Sequence, residues 1–138
     1  MANVGISRNY GKTQNLGFVS NRFTAKDLTA AKTLGKDDAG AYTVSGSAAI
    51  TVTMPAVSKV VGSEFIVRSL SAHAHILTGS TDDSGVSVFS VTGSQGTAVA
   101  TGTSMALPAT VGSSVILKSD GVSWLILGHN GALTVSGG

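Results

Sequence analysis

The sequence predicts an all-β protein, a jelly-roll-like β-sandwich that follows an extended N-terminal arm. The first observation is a repeated alternation of apolar residues with Ser or Thr, clearest at residues 49–54, which is the pattern of a half-buried strand. The second is that such runs close at Gly, Ser, Asp or Pro, the residues that end strands and form turns. The third is the composition, because 12% charged residues and a mean hydropathy of +0.31 argue against a disordered chain.

Candidate strands recur from residue 40 onward. Runs of four to seven residues at this spacing are typical of a sandwich or barrel. The strongest hairpin signal covers residues 118–124, where Asp120 and Gly121 form the predicted tip. The candidate strands are residues 49–54, 64–70, 73–77, 86–91, 97–101, 104–107, 114–118, 122–127 and 132–135.

One motif occurs twice in this region. An apolar residue, Pro and Ala stand at residues 54–56 and again at 107–109, and Val-Gly-Ser follows at 61–63 and at 111–113. Each copy continues into a candidate strand that ends in a basic residue and Ser. Two copies of strand, loop and strand suit the double Greek key of a jelly roll. Chance is the other interpretation, because the sequence uses few residue types.

The charge distribution divides the chain into a basic arm, residues 1–39, and a mildly acidic body, residues 40–138. The net charge is +2, yet the residues before 37 carry six bases and one acid, whereas the others carry three bases and six acids. The arm shows no persistent period of 2 or 3.6 residues, so we expect it to be extended. Residues 24–34 also carry the signals of a short helix, with Thr24 as its cap and Gly35 after its end.

The residue types argue against an enzyme. The chain has no cysteine, so it offers no thiol nucleophile, disulfide or thiolate metal site. The carboxylate pairs at 37–38 and 82–83 flank glycine turns and are interpreted as solvated turn residues. Neither a serine elbow nor the lysine of a phosphate loop occurs. We therefore predict a protein that is not an enzyme and uses no cofactor.

His73 and His75 are the candidate metal ligands. Two positions apart on a strand, they face the same side and could reach one metal, or supply six nitrogens around the axis of a trimer. Two histidines make an incomplete site, so we assign them to a solvated or interface strand and predict no metal. Trp124, the single Trp, lies in an apolar strand, which favours a core or subunit-interface anchor over a sugar-stacking platform.

The arm is the candidate binding element. Its bases are spread along the segment rather than clustered, which favours a protein partner over nucleic acid, whose binding depends on neutralising phosphates. We expect aromatic anchors to dock into grooves of the partner while basic residues meet an acidic face. The candidate binding residues are Arg8, Tyr10, Lys12, Phe18, Arg22, Phe23 and Lys26.

Residues 49–127 resemble the small β modules of tailed-bacteriophage structural proteins. The features are Ile-Thr-Val-Thr-Met-Pro-Ala at 50–56, Gly-Ser-Glu-Phe-Ile-Val at 62–67, and a strand, Asp-Gly and a Trp-containing strand at 112–124. With its basic arm, the chain is similar to capsid decoration (cement) proteins. The resemblance implies a homotrimer that binds the major capsid protein on the outer surface of the virion head, so that the arm residues become capsid-binding.

The resemblance also implies assembly in the host cytoplasm. The N-terminal residues agree with this expectation, because they lack the charged start and apolar run of a signal peptide. The spread of the arm's bases argues against nucleic acid as a partner, and because no apolar stretch is long enough to cross a bilayer, we expect no membrane partner either. The alternative is a tail-fibre or spike component that binds a host receptor, but the sequence has no room for the long repeats usual in fibres. A carbohydrate-binding or hydrolytic jelly-roll module would need clustered aromatic or carboxylate residues, and aromatic residues make up only 5% of the chain.

Overall fold

The computed structural model describes residues 25–80, 88–91 and 100–136. In these ranges two mixed β-sheets pack against each other around one apolar core, which confirms the predicted all-β sandwich. A single 3₁₀ turn, Val57–Lys59, is the helical element of the described residues. The strands are β1 Lys26–Leu28, β2 Lys32–Thr33, β3 Gly40–Val44, β4 Thr51–Thr53, β5 Glu64–Ser69, β6 Ile76–Thr78, β7 Val88–Val91, β8 Ala100–Gly102, β9 Ser104–Ala106, β10 Ser114–Ser119, β11 Ser123–Asn130 and β12 Thr134–Ser136.

The first six strands alternate between the two sheets, so this half of the chain winds around the core. Strands β1, β3 and β5 lie side by side in one sheet, strands β2, β4 and β6 lie side by side in the other, and all four pairings are parallel. Each winding therefore adds one strand to each sheet. A Greek key is built from antiparallel strands, so in this half the repeated motif does not mark that connection.

The later strands complete both sheets. Strand β10 pairs antiparallel with β5, and β9 pairs antiparallel with β6, so the two halves of the chain meet inside each sheet. Strands β10 and β11 form the hairpin predicted around Asp120 and Gly121. The strand orders are β1-β3-β5-β10-β11-β7-β8 in the seven-stranded sheet and β12-β9-β6-β4-β2 in the five-stranded sheet.

Along the strands, every second side chain points into the space between the two sheets. In β5, Phe65 and Val67 are fully buried, whereas Glu64 and Arg68 are exposed. Trp124 of β11 is also fully buried and meets the Phe65 ring edge to face, with the ring centroids 5.4 Å apart. Trp124 is therefore a core residue. Burying one large apolar side chain stabilises a fold by about 1.5–3 kcal/mol, so this aromatic pair is a main anchor of the core.

The predicted helix over residues 24–34 is wrong. The segment forms β1 and β2, which lie in different sheets. Leu34 is buried to 2% exposure, and its N–H donates to the Thr53 carbonyl at 2.8 Å. Strand pairing with both sheets and burial of Leu34 in the core thus override the local helix propensity. The sandwich thus begins before residue 40, within the segment predicted as an arm.

The repeated Val-Gly-Ser motif forms two equivalent turns at opposite ends of the β5/β10 ladder. The Gly62 N–H donates to the Ser119 carbonyl, and the Gly112 N–H donates to the Ser69 carbonyl, both at 2.8 Å. Both glycines have positive φ, +83° and +93°, a conformation that other residues disfavour. The reciprocal hydrogen bonds define a local two-fold axis through the ladder. The motif is therefore a structural repeat.

Candidate interaction surfaces

Hydroxyl side chains cover the outer face of the five-stranded sheet. Five of them form one row, in register from one edge strand to the other. The Oγ atoms of Ser104 and Ser136 lie 3.1 Å apart, so part of this row is hydrogen-bonded within the sheet. The neighbouring row is uncharged as well. The first row is Thr33, Thr53, Thr78, Ser104 and Ser136, and the second is Thr51, Ile76, Ala106 and Thr134.

Apolar side chains cross the outer face of the seven-stranded sheet. Ile66 and Ile116 pair in register at the centre of this sheet and are half-buried. The exposed residues Glu64 and Lys118 pair in register beside them and flank the apolar surface. The apolar side chains of this face are Ile66, Ile116, Leu125 and Leu127, which together we call the apolar row; within it Leu125 pairs with Lys118 rather than with an isoleucine.

Leu127 protrudes from the apolar row because the β10/β11 ladder contains a bulge. Leu117 pairs with Ile126, whereas the preceding Ile116 pairs with Gly128, so Leu127 has no partner across the ladder. A bulge re-aims the side chain of the extra residue, and Leu127 is 51% exposed. The seven-stranded sheet thus presents a large apolar side chain to its surroundings on a rigid strand.

Two pairs of exposed apolar residues mark the ends of the β5/β10 ladder. At one end Val61 is 63% exposed and Val122 is 79% exposed; at the other, Leu70 is 45% exposed and Val111 is 59% exposed. Val61 and Val111 occupy the same position in the two Val-Gly-Ser turns. Clustered exposed apolar residues mark interaction sites on soluble proteins, so both ends are candidate contacts.

Asp120 holds the hairpin tip that presents Val122. Its Oδ1 atom accepts the N–H groups of Ser123 at 2.6 Å and Val122 at 2.8 Å. These backbone hydrogen bonds favour the charged carboxylate and lower the pKa of Asp120. Gly121 has a φ of +92°, and a Cβ at this position would lie 3.1 Å from a methyl group of Val61. Val122 therefore stands on a well-defined turn beside Val61.

Val61 and Val122 lie at the end of the sandwich where β1, β3 and β5 start, which we call the leading end. These three strands are parallel, so their N-terminal ends share one end of the sheet. Strand β10 runs antiparallel to β5, so the turn after it lies at the same end. The connections 34–39 and 54–63 also lie there, because they join the C-terminal ends of β2 and β4 to the starts of β3 and β5.

Of the predicted arm residues, the described structure contains Lys26, which is exposed at the start of β1 on the edge of the seven-stranded sheet. The neighbouring Asp27 accepts hydroxyl hydrogen bonds from Ser45 at 2.7 Å and Thr43 at 2.8 Å, and these lower the pKa of its carboxyl. Lys26 thus begins its strand at the leading end. The other candidates lie outside the described residues: Arg8, Tyr10, Lys12, Phe18, Arg22 and Phe23.

His75 is not on a solvated or interface strand, so that assignment is wrong for this residue. It is fully buried just before β6, where its Nδ1 atom accepts the Ile50 N–H at 3.1 Å. Its Nε2 atom lies 2.9 Å from the Ser71 hydroxyl, and because Nδ1 is an acceptor, Nε2 carries the proton. Burial lowers the pKa of His75, and the nearby His73 adds to this effect. Both ring nitrogens form hydrogen bonds within the protein, so His75 is a structural residue that holds the end of the 45–50 connection at Ile50.

Within the described ranges, no group of three or more His, Cys, Asp or Glu residues is placed to hold a metal ion. The same part of the chain includes no helix with the length and hydropathy to cross a membrane. A scan against protein-family models and a search of curated proteins each found no match to this chain.

Sequence analysis did not identify Leu127, Val61 or Val122 as candidate contacts. For Val61 a signal existed, because it precedes the glycine of the repeated Val-Gly-Ser motif, and glycine after a strand indicates a turn. For Leu127 no signal existed, since the residue continues an alternating run and only the register of β10 and β11 reveals the bulge.

Proposed function

We propose that the chain is a virion structural protein that binds the outside of a tailed-phage capsid shell as a homotrimer and stabilises it. The observation that carries this proposal is the apolar row, in which the exposed Leu127 stands with three partly buried apolar side chains on the outer face of the seven-stranded sheet. It accords with a surface poor in charge, since 12% charged residues is about half of what a free-standing domain carries.

The apolar row supports self-association. In water the half-exposed Leu127 and the half-buried Ile66 and Ile116 leave apolar surface uncovered, and covering it gains about 25 cal/mol per Å². In the proposed trimer three copies of the row face the three-fold axis. The cross-strand pair Glu64 and Lys118 of each copy then borders the contact, which suits a closed ring of identical contacts.

The leading end supports attachment to a shell. There Val61 and Val122 are the most exposed large apolar residues in the described ranges, and β1 starts at the same end with Lys26. The segment that precedes β1 holds the arm residues that the sequence assigns to capsid binding. A trimer brings three such ends to one side of the assembly, so the weak contacts of each copy add by avidity.

The test is co-sedimentation with purified heads from a phage that encodes the chain. The wild-type protein should sediment with heads. Leu127→Glu, which places a charge in the apolar row, should lose the trimer and with it most of the binding. Ile76→Glu is the matched control, because Ile76 is 37% exposed on the opposite sheet, and it should bind as the wild type does. Wild-type protein that stays in the supernatant would contradict the proposal.

A further inference from the structure

The end of the sandwich opposite to the leading end, which we call the trailing end, carries a basic side chain beside two exposed apolar ones. Arg68 is exposed near the end of β5, and no ion pair or hydrogen bond joins its side chain to another residue in the described ranges. One of its terminal nitrogens would lie 3.8 Å from a Cβ at Gly112, so the guanidinium lies beside the second Val-Gly-Ser turn. Val111 of this turn is 59% exposed, and Leu70, directly after β5, is 45% exposed.

The structural repeat shows what distinguishes the trailing end from the leading end. In the leading-end copy the base faces an acid across the β5/β10 ladder, and a second acid follows two residues after the base. In the trailing-end copy the base faces a serine, and a leucine follows. The base is thus retained while both acids are replaced. The equivalent pairs, with the leading-end residue first, are Lys118 and Arg68, Glu64 and Ser114, and Asp120 and Leu70.

The acid in the same cross-strand row, Asp27, does not neutralise Arg68. Asp27, Thr43 and Arg68 are in register across β1, β3 and β5, so the Cα atoms of the acid and the base lie about 10 Å apart. The Asp27 carboxylate accepts hydroxyl hydrogen bonds from Thr43 and Ser45, whereas the guanidinium lies on the other side of β5, at the turn before β10. The connections that meet at the trailing end contain no acid; they are residues 45–50, 70–75 and 107–113.

We propose that the trailing end binds a segment of a partner protein in which an Asp or Glu pairs with Arg68 and an adjoining apolar side chain covers Val111 and Leu70. Arg is enriched among the residues that dominate protein interfaces, and its planar guanidinium can pair with a carboxylate through two hydrogen bonds. Nucleic acid is disfavoured, because its binding needs several cations along the phosphates and would leave the two apolar side chains uncovered. A partner at this end can bind while the leading end is occupied. That it faces away from a shell rests on the proposed function, whereas the carboxylate preference rests on the trailing end alone.

The experiment is an NMR titration of the full chain with the blocked peptide Ala-Leu-Glu-Leu-Ala. The control peptide carries Gln in place of Glu. The acidic peptide should shift the amide signals of residues 68–71 and 110–114. The Gln peptide should bind about fivefold more weakly, which corresponds to about 1 kcal/mol for the lost ion pair.

The repeat supplies matched control variants. Arg68→Gln should lose the same fivefold in affinity for the acidic peptide, whereas Lys118→Gln, an equal charge change at the equivalent position, should bind as the wild type does. Val111→Ser should also weaken binding, because it removes apolar contact, and Val61→Ser in the other turn should not. Trp124 fluorescence verifies that every variant is folded, since this buried residue reports on the core.

Equal affinities for the two peptides, shifts confined to the leading end, or no shifts at millimolar peptide would each overturn the proposal. Tighter binding of a short oligothymidylate at the same residues would assign the trailing end to nucleic acid and would overturn it as well. If the peptide binds at the trailing end but the wild-type protein fails to sediment with heads, this assignment stands and the proposed function fails. If Arg68→Gln alone abolishes sedimentation with heads, the trailing end faces the shell, and its assignment to a separate partner is overturned.

Discussion

Acidification should destabilise this protein through His75. The ring is fully buried and neutral, with Nδ1 accepting the Ile50 N–H and Nε2 directed at the Ser71 hydroxyl. A second proton would put a donor on Nδ1 against the Ile50 donor and would place a charge in the core. Burial first, and the neighbouring His73 second, lower the pKa of His75 below its ordinary value.

The direction of the pH dependence follows from the linkage between proton binding and unfolding. In the unfolded chain His75 takes up a proton below a pH of about 6.5, whereas the folded protein resists protonation until its lower pKa is reached. Between these two values the unfolded state binds more protons, so the free energy of unfolding falls by about 1.4 kcal/mol per pH unit. The stability is fully present above pH ~6.5 and is lost as the pH falls through the folded pKa of His75.

Urea unfolding followed by Trp124 fluorescence measures this loss at one fixed protein concentration. From pH 7.5 to 5.5 the wild type should lose up to about 1.4 kcal/mol more than His75→Asn, which keeps an acceptor but cannot titrate. His129→Asn retains His75 and should lose stability as the wild type does. The carboxyls of Asp27 and Asp120, whose pKa values are lowered, stay ionised throughout this range. Parallel pH profiles for the wild type and His75→Asn would refute this role of His75.

Four further outcomes are expected. Asp120→Ala removes the acceptor of two turn hydrogen bonds and should lower the free energy of unfolding in urea by about 1 kcal/mol. Gly121→Ala forces a side chain into a positive φ and should lower it by about 1–2 kcal/mol. Unchanged urea midpoints for both variants would show that the hairpin tip tolerates these changes. Phe65→Ala should cost about 3–5 kcal/mol by emptying the space against Trp124, and a loss below 1 kcal/mol would contradict a tightly packed core. Deleting residues 2–23 should leave a folded trimer by light scattering that no longer sediments with heads; undiminished binding would place the contact on the β body.

The sequence predicted the sheet elements that alternate over a full strand length. Strands β5 and β10 follow the predicted runs at 64–70 and 114–118, and the Asp-Gly tip connects β10 to β11 as expected. In these elements each residue's face is set by a period of two, which is visible locally. The same period occurs in parallel and antiparallel sheets, however, so the parallel pairing of the first six strands could not be read from it.

The short strands and the buried polar residues could not be predicted from local sequence, because their structure depends on residues far away in the chain. Strands β1 and β2 have three and two residues, too few to show a period, and they exist because β3 and β4 pair with them. His75 was misassigned for the same reason. Its environment is created by Ile50, 25 residues earlier, and spacing within the His-x-His segment carries no information about that contact.

Self-association is the central claim, and a mass measurement in solution tests it most directly. Multi-angle light scattering of the full chain at high micromolar concentration and physiological salt should give three times the chain mass of 13.7 kDa. The apolar row would then be covered, and Leu127→Glu should shift the mass toward that of one chain. A wild-type mass of a single chain under these conditions would contradict a protein built for assembly.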